Sequence, residues 1–314
     1  LKNKEKNHEY EIIYPFNPNF WLQSYPSEFS KSNPFISYVK NLDLNEFTRI
    51  EQIGEGKYTK IYKIIENKTN THYAAKIYNK KYSNEINPFS NDIQLTREIK
   101  TISMLNHPSI IKFIGYSKIE FIGHFNPVII TEYIENGSLE RILEIERSNS
   151  TISFWNDTMR LITIYGIASA MSYLHARNII YRDLKAENIL LDDNLFPKLI
   201  NFDESRNFEE IDTNTIENSI FTAPEIINNN RYSKEGDVYS FAMLVYEIMA
   251  KKYPYEKVNH FKMLHDVAIL KKRPEIPNSV PKAYKNLIES CWNHKSKERL
   301  TFDQILNNLR TNKE

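Results

Sequence analysis

Tyr181-Arg182-Asp183-Leu184-Lys185-Ala186-Glu187-Asn188, followed by Ile189-Leu190-Leu191, is the stretch that decides how this chain is read. It places a carboxylate, an ammonium and an amide in one short loop ahead of an apolar strand. Phosphoryl transfer calls for those groups: an acceptor for a hydroxyl proton, a cation facing developing negative charge, and an oxygen that can ligate Mg²⁺. A charged surface loop has similar composition but no reason to keep this order.

Upstream features point the same way. Gly54-Glu55-Gly56 lies between two strand patterns, preceded by Ile53 and followed by Ile61. Without a Cβ, glycine lets backbone amides approach a phosphate closely, although an ordinary hairpin turn would also use it. The chain has only 7 glycines, so this pairing needs a local reason. Lys76, in Ala74-Ala75-Lys76, sits inside an apolar strand and points either to water or into a cleft. Arg97-Glu98-Ile99, on the next helical pattern, offers an anion for it. Together the glycines, the lysine and Glu98 favour the cleft.

The pattern around these motifs is strands first, helices afterwards. Strands are predicted over 47–53, 61–65, 72–78, 110–116 and 128–133, with a helix over 92–105. Turn chemistry falls at 54–56 and 67–70. After Gly137 the chain turns mostly helical, over 155–176, 237–250, 261–270 and 281–291. This argues for an α+β fold with two unequal lobes, an N-lobe over 47–134 and a C-lobe over 135–312. Residues 1–46 read as an irregular extension, broken by Pro15, Pro18, Pro26 and Pro34 but rich in aromatics that fit packing on a domain.

The motif set resembles the eukaryotic protein-kinase family from about Phe47 to Arg310, in the family's order. Ala223-Pro224-Glu225 is similar to the end of the activation segment. Asp237-Val238-Tyr239-Ser240-Phe241 is similar to the central helix, whose aspartate would tie down the catalytic loop, and Arg299 to the arginine that pairs with Glu225. Cys291-Trp292 with Arg299-Leu300-Thr301-Phe302 resembles the tyrosine-kinase-like and tyrosine-kinase groups. Lys185, two residues after Asp183, is the serine/threonine pattern, which favours the tyrosine-kinase-like group.

The resemblance implies ATP and Mg²⁺ as cofactors and a protein as substrate or signalling partner. It implies that Gly54 and Gly56 cover the phosphates and that Lys76, paired with Glu98, holds them. Ile53, Ile61, Ala74 and Leu190 would contact the nucleotide through apolar surface. Thr131 would be the gatekeeper, with Glu132 and Ile134 offering backbone hydrogen bonds to adenine. Asp183 would orient or deprotonate the hydroxyl, Lys185 would stabilise transferred charge and Asn188 would ligate Mg²⁺. Arg182 would receive a phosphorylated activation segment, with Thr213, Thr215 and Ser219 as acceptors.

Four positions depart from the family. Tyr181 replaces histidine, which still leaves an aromatic to pack. Thr59 stands where a third glycine is expected. Glu217-Asn218-Ser219 replaces the usual Gly-Thr-Pro. The weightiest change is the metal-binding triplet, which reads Asn201-Phe202-Asp203 in place of Asp-Phe-Gly. A carboxamide at 201 carries no charge to hold Mg²⁺, and losing that charge costs on the order of 10²–10³ in rate. Asp203 restores a carboxylate two residues on, within possible reach of the metal. Two outcomes stay open: an active serine/threonine kinase, or a pseudokinase that binds nucleotide and signals by conformation.

Composition excludes little else. Formal net charge is +1, which gives no ground for nucleic acid as partner. No apolar run is long enough to span a bilayer, and the charged first residues show no signal peptide. The single cysteine, Cys291, cannot form an internal disulfide, which fits a reducing, cytoplasmic setting. The chain opens at Leu1 rather than methionine, so it reads as a possible fragment of a longer receptor or adaptor.

Overall fold

A computed structural model describes residues 39–56, 59–78, 90–124, 126–148, 150, 152–207, 219–229, 231–256 and 258–311. The prolines and aromatics of the first 38 residues, and Thr213, Thr215, Glu217 and Asn218, lie outside the described residues.

The first half builds a five-stranded antiparallel sheet: β1 (Phe47–Glu55), β2 (Thr59–Glu66), β3 (His72–Tyr78), β4 (Phe113–Ser117) and β5 (Val128–Glu132), in the order β1-β2-β3-β5-β4. Helix α1 (Ser90–Ser103) lies between β3 and β4. Period-two alternation gives the sheet two chemically different faces. On one, Ile64, Ala75, Ile77, Val128 and Ile130 pack with Phe47, Leu42 and Leu44. Leu42 and Leu44 are buried, and Leu42 N–H donates to Tyr116 O (2.8 Å). The last residues before β1 therefore belong to the core of this lobe. On the other face, register places Gly54 opposite Ile61, Ile61 opposite Lys76, and Ala74 opposite Thr131. The glycine, the lysine and the apolar candidates thus share the face away from that core.

One strand assignment changes. The apolar run from Ile110 predicts a strand starting there, yet β4 begins at Phe113. Ile111 N–H instead donates to Leu199 O (2.9 Å), and Leu199 N–H donates to Ser109 O (2.9 Å). Those residues pair with a strand of the second half and tie the two halves together.

The second half is helical: α2 (Leu139–Arg147), α3 (Asp157–Ala176), α4 (Pro224–Asn229), α5 (Lys234–Ala250), α6 (His260–Ala268), α7 (Lys282–Cys291) and α8 (Phe302–Thr311). Between α3 and α4 run four short strands, β6 (Ile179–Ile180), β7 (Ile189–Leu191), β8 (Pro197–Leu199) and β9 (Arg206–Asn207), paired β6–β9 and β7–β8. Helix α5 is apolar all round and buried along almost its whole length, as expected of a helix surrounded by others. Ser233 caps it by accepting from Gly236 N–H (3.3 Å), and Lys251 ends it in the left-handed region (φ 55°). Asp237, in its first turn, faces the loop over 181–188.

Candidate active site

Lys76 projects from β3 toward α1, and its Nζ lies 3.0 Å from Glu98 Oε1. Glu98 is buried at 2% exposure, so it needs this partner. Tyr78 lies on the same strand face as Lys76 and donates its hydroxyl to Glu98 Oε2. The sequence reading did not name Tyr78, although its i+2 spacing from Lys76 could have shown it. A third group also reaches the lysine: Asp203 Oδ2, at 3.7 Å. Burial alone would lower the Lys76 pKa, but Glu98 and Asp203 outweigh it and hold the ammonium above its ordinary value. Burial pushes Glu98 upward, with Lys76 opposing.

The loop from Tyr181 to Asn188 is held from below. Asp237 Oδ2 accepts from Tyr181 N–H (2.9 Å), and Oδ1 accepts from Arg182 N–H (2.8 Å). His175 Nε2 lies 2.8 Å from the same carboxylate, a partner the sequence reading missed. Arg182 sits at φ +73°, a costly conformation for a residue with a Cβ. The Asp237 contacts fix it there. Arg182 also stacks its guanidinium over Tyr232 (4.5 Å).

The three chemical groups of the loop meet at Asp183. Lys185 Nζ stands 3.0 Å from Asp183 Oδ1. Asn188 Nδ2 donates to Asp183 Oδ2 (2.6 Å) and to its backbone oxygen (2.8 Å). Burial opposes the charge on Lys185, but the Asp183 carboxylate prevails and holds the Lys185 ammonium above its ordinary pKa.

That pair of acceptors fixes the amide of Asn188, because only the NH₂ end can face them. Asn188 Oδ1 therefore points the other way, where it accepts from Asn201 Nδ2 (2.7 Å). The position that would complete a metal site is thus joined to Asn188 by a hydrogen bond. Asn201 lies in the left-handed region (φ 54°), which asparagine tolerates better than most residues. Phe202 packs edge-on against Tyr181 (centroids 5.5 Å apart), and Tyr181 donates its hydroxyl to Ile200 O. Tyr181 therefore does more than fill an aromatic position. Arg206 Nη1 donates to Asp203 O (2.6 Å) and Glu204 N–H to Asp203 Oδ1 (3.0 Å).

For a nucleotide the residues fit. A Cβ on Gly54 would meet only Ile61, at an ordinary 3.4 Å. The protein's own packing does not demand glycine there, whereas close phosphate approach would. Ile61, Ala74 and Leu190 are half-buried and Ile53 is exposed, which leaves apolar surface for a base. Glu132 spends its N–H on Lys112 O (3.0 Å) and its carboxylate on Lys112 N–H and Lys198 Nζ. Its carbonyl accepts from the Thr131 hydroxyl (3.2 Å), which leaves one lone pair for an adenine. For Mg²⁺, positions 188 and 201 fit poorly as they stand: two uncharged amides, already bonded to each other.

Elsewhere Arg299 grips Glu225 with both Nη atoms (2.6 and 2.7 Å). Ser219 has its Oγ engaged as acceptor for Phe221 N–H (3.2 Å).

A five-stranded lobe, a helical lobe, a Lys76–Glu98 pair that Asp203 approaches, and a 181–188 loop joined to the same triplet through Asn201 define a kinase-like architecture. The chain belongs to the protein kinase domain family, whose description matches residues 47–309. It is 31% identical over 282 residues to a probable LIM domain-containing serine/threonine-protein kinase of Dictyostelium discoideum, covering 88% of this chain and 40% of that protein. It is 32% identical over 273 residues to a putative serine/threonine-protein kinase/receptor of Acanthamoeba polyphaga mimivirus, covering 86% and 15%. The human tyrosine-protein kinase FRK is 31% identical over 274 residues, covering 84% and 50%. The chain therefore spans half or less of these curated relatives. The family works with ATP and a divalent metal, generally Mg²⁺. No helix among the described residues is long and apolar enough to cross a membrane.

Proposed function

We propose that this chain is an ATP-dependent kinase domain that transfers the γ-phosphate to serine or threonine hydroxyls of protein substrates. The arrangement around Asp183 carries the reading. Lys185 at 3.0 Å and Asn188 at 2.6 Å hold its two oxygens in place. Asp183 takes the proton as the hydroxyl oxygen bonds to phosphorus and the bond to the bridging oxygen of ADP breaks. Lys185 faces the charge carried by the transferred group. Lys76, Gly54 and Gly56 hold the phosphates, Ile53, Ile61, Ala74 and Leu190 the base, and Thr131, Glu132 and Ile134 its edge. Lys185 and the names of the first relatives favour serine/threonine over tyrosine. The single cysteine, buried in α7, supports a cytoplasmic setting.

A second reading has its own observation. Asn201 donates to Asn188 where a carboxylate would hold a cation, which favours a nucleotide-binding signalling module with weak transfer. Incorporation of label from ATP into a generic protein substrate separates the two. Transfer abolished by Asp183→Ala supports the first reading. Incorporation that Asp183→Ala leaves unchanged comes from a contaminant and sinks it.

A further inference from the structure

The triplet places a carboxylate where glycine is usual, and its surroundings aim it. Phe202, packed on Tyr181, anchors the chain just before Asp203, and the Arg206 guanidinium holds the Asp203 backbone oxygen. Glu204 N–H takes Oδ1, which leaves Oδ2 turned toward Lys76 at 3.7 Å. Asp203 is about one-third exposed, so it lies at the cleft wall rather than in the core. Lys76 therefore faces two carboxylates, one from each side of the cleft. Glu98 is buried behind it on α1, the partner that orients it. Asp203 comes from the open side, where a phosphate oxygen would have to arrive.

We propose that Asp203 is an internal competitor of the nucleotide: its carboxylate occupies the phosphate-facing side of Lys76, and a polyphosphate binds only by displacing it. This rests on the reading of the cleft as a nucleotide site. Two anions cannot share one ammonium without repulsion. Binding in the absence of a divalent cation is therefore weakened by Asp203 in proportion to the charge of the incoming phosphates. An uncharged nucleoside does not meet Lys76 and is indifferent to it.

Isothermal titration with ADP and with adenosine, each in EDTA, tests this on the wild type, Asp203→Asn and Asp203→Gly. The asparagine variant keeps size and removes charge; the glycine variant removes the side chain. Both are expected to bind ADP at least ~10-fold more tightly than the wild type, the scale of one released charge contact. Adenosine affinity is expected to stay within about twofold. An unchanged or weaker ADP affinity in both variants overturns the proposal. So does an equal gain for adenosine, which would place the effect away from Lys76. Lys76→Met serves as the control on the underlying reading. If wild type and variants bind neither ligand, or if Lys76→Met leaves ADP binding intact, the nucleotide site itself is misplaced and the proposal falls with it.

Discussion

The loop over 181–188 and the triplet at 201–203 meet through one hydrogen bond and one ring contact, yet they are held in different ways. The loop is fixed through its backbone. Asp237 accepts from two consecutive N–H groups and keeps Arg182 at φ +73°. Its three chemical groups are those the family uses. The triplet is fixed mainly by side chains: an amide pair at one end and a carboxylate facing an ammonium at the other. There the family's charge has moved by two positions. Where function depends on a strained backbone, a whole set of partners must persist together. Where it depends on presenting a charge, a change at one or two side chains can remove or relocate that charge and leave the fold intact.

The largest effect that tests this contrast lies in the loop. Asp183→Asn should lower single-turnover transfer from ATP by about 10³-fold, within the range for a lost general base. Unfolding temperature should move by no more than a few degrees. Loss of folding instead would mean that the loop depends on Asp183 as well as on Asp237. Asp237→Ala should do the converse. It strands two backbone N–H groups and His175, and should cost about 3–5 kcal/mol in urea unfolding. A loss below ~1 kcal/mol would show that the loop is not held from α5.

Much of this was legible in the residues. Lys76, Glu98, Asp183 and Asn188 each stood out because a charged or amide group fell inside an apolar or loop pattern with a partner further on. Lys76 meets Glu98 across strand and helix, and the loop holding Asp183 and Asn188 is fixed by Asp237, which simple periodicity already located on a helix. Three things were not legible. His175 contributes through Asp237, a partner distant in sequence, whereas Tyr78 was overlooked although its i+2 spacing from Lys76 signals it. Ile110 and Ile111 belong to an apolar run, and only the fold reveals that their backbone pairs with β8 rather than continuing β4. The hydrogen bond that Asn201 makes depends on the orientation of Asn188, which is set by Asp183. No spacing rule encodes such a chain of orientations.

Asn201→Asp is the middle test. It replaces a donor facing Asn188 Oδ1 by an acceptor, so the two oxygens repel unless a cation lies between them. Transfer with Mg²⁺ present should rise by about 10–10²-fold, and the unfolding temperature in EDTA should fall. A rise of less than about twofold would mean that position 201 never limited the reaction.

A smaller effect compares two carboxylates on α5. Asp237 is fully partnered, whereas Glu247 is buried with only Oε1 on Arg147 (2.6 Å) and no partner for Oε2 among the described residues. Burial and Glu140 push its pKa up to about 8, with Arg147 opposing. The folded chain then keeps a proton that the unfolded chain has released. This contribution to stability is complete below the unfolded value of 4.5 and is lost as pH rises through about 8. Glu247→Gln should flatten that decline and raise the unfolding temperature at pH 9 by about 2–4 °C. An unchanged pH profile would mean that Arg147 keeps Glu247 ionised throughout.

The smallest expected effect falls on the seam between loop and triplet. Tyr181 donates its N–H to Asp237 Oδ2 and its hydroxyl to the carbonyl of Ile200, the residue before Asn201. Burial, followed by Asp183, holds the phenol well above its ordinary pKa, so it remains a donor throughout the working range. Tyr181→Phe keeps the ring and its packing on Phe202 but strands a buried carbonyl, a loss of about 1–2 kcal/mol. If the ring alone mattered, as the sequence suggests, the change would be neutral, and stability within ~0.3 kcal/mol of wild type would show that. A full loss, with nucleotide affinity moving alongside it, would mean that the loop passes its backbone restraint to the triplet through this hydroxyl. The two regions would then be less independent than their different anchors suggest.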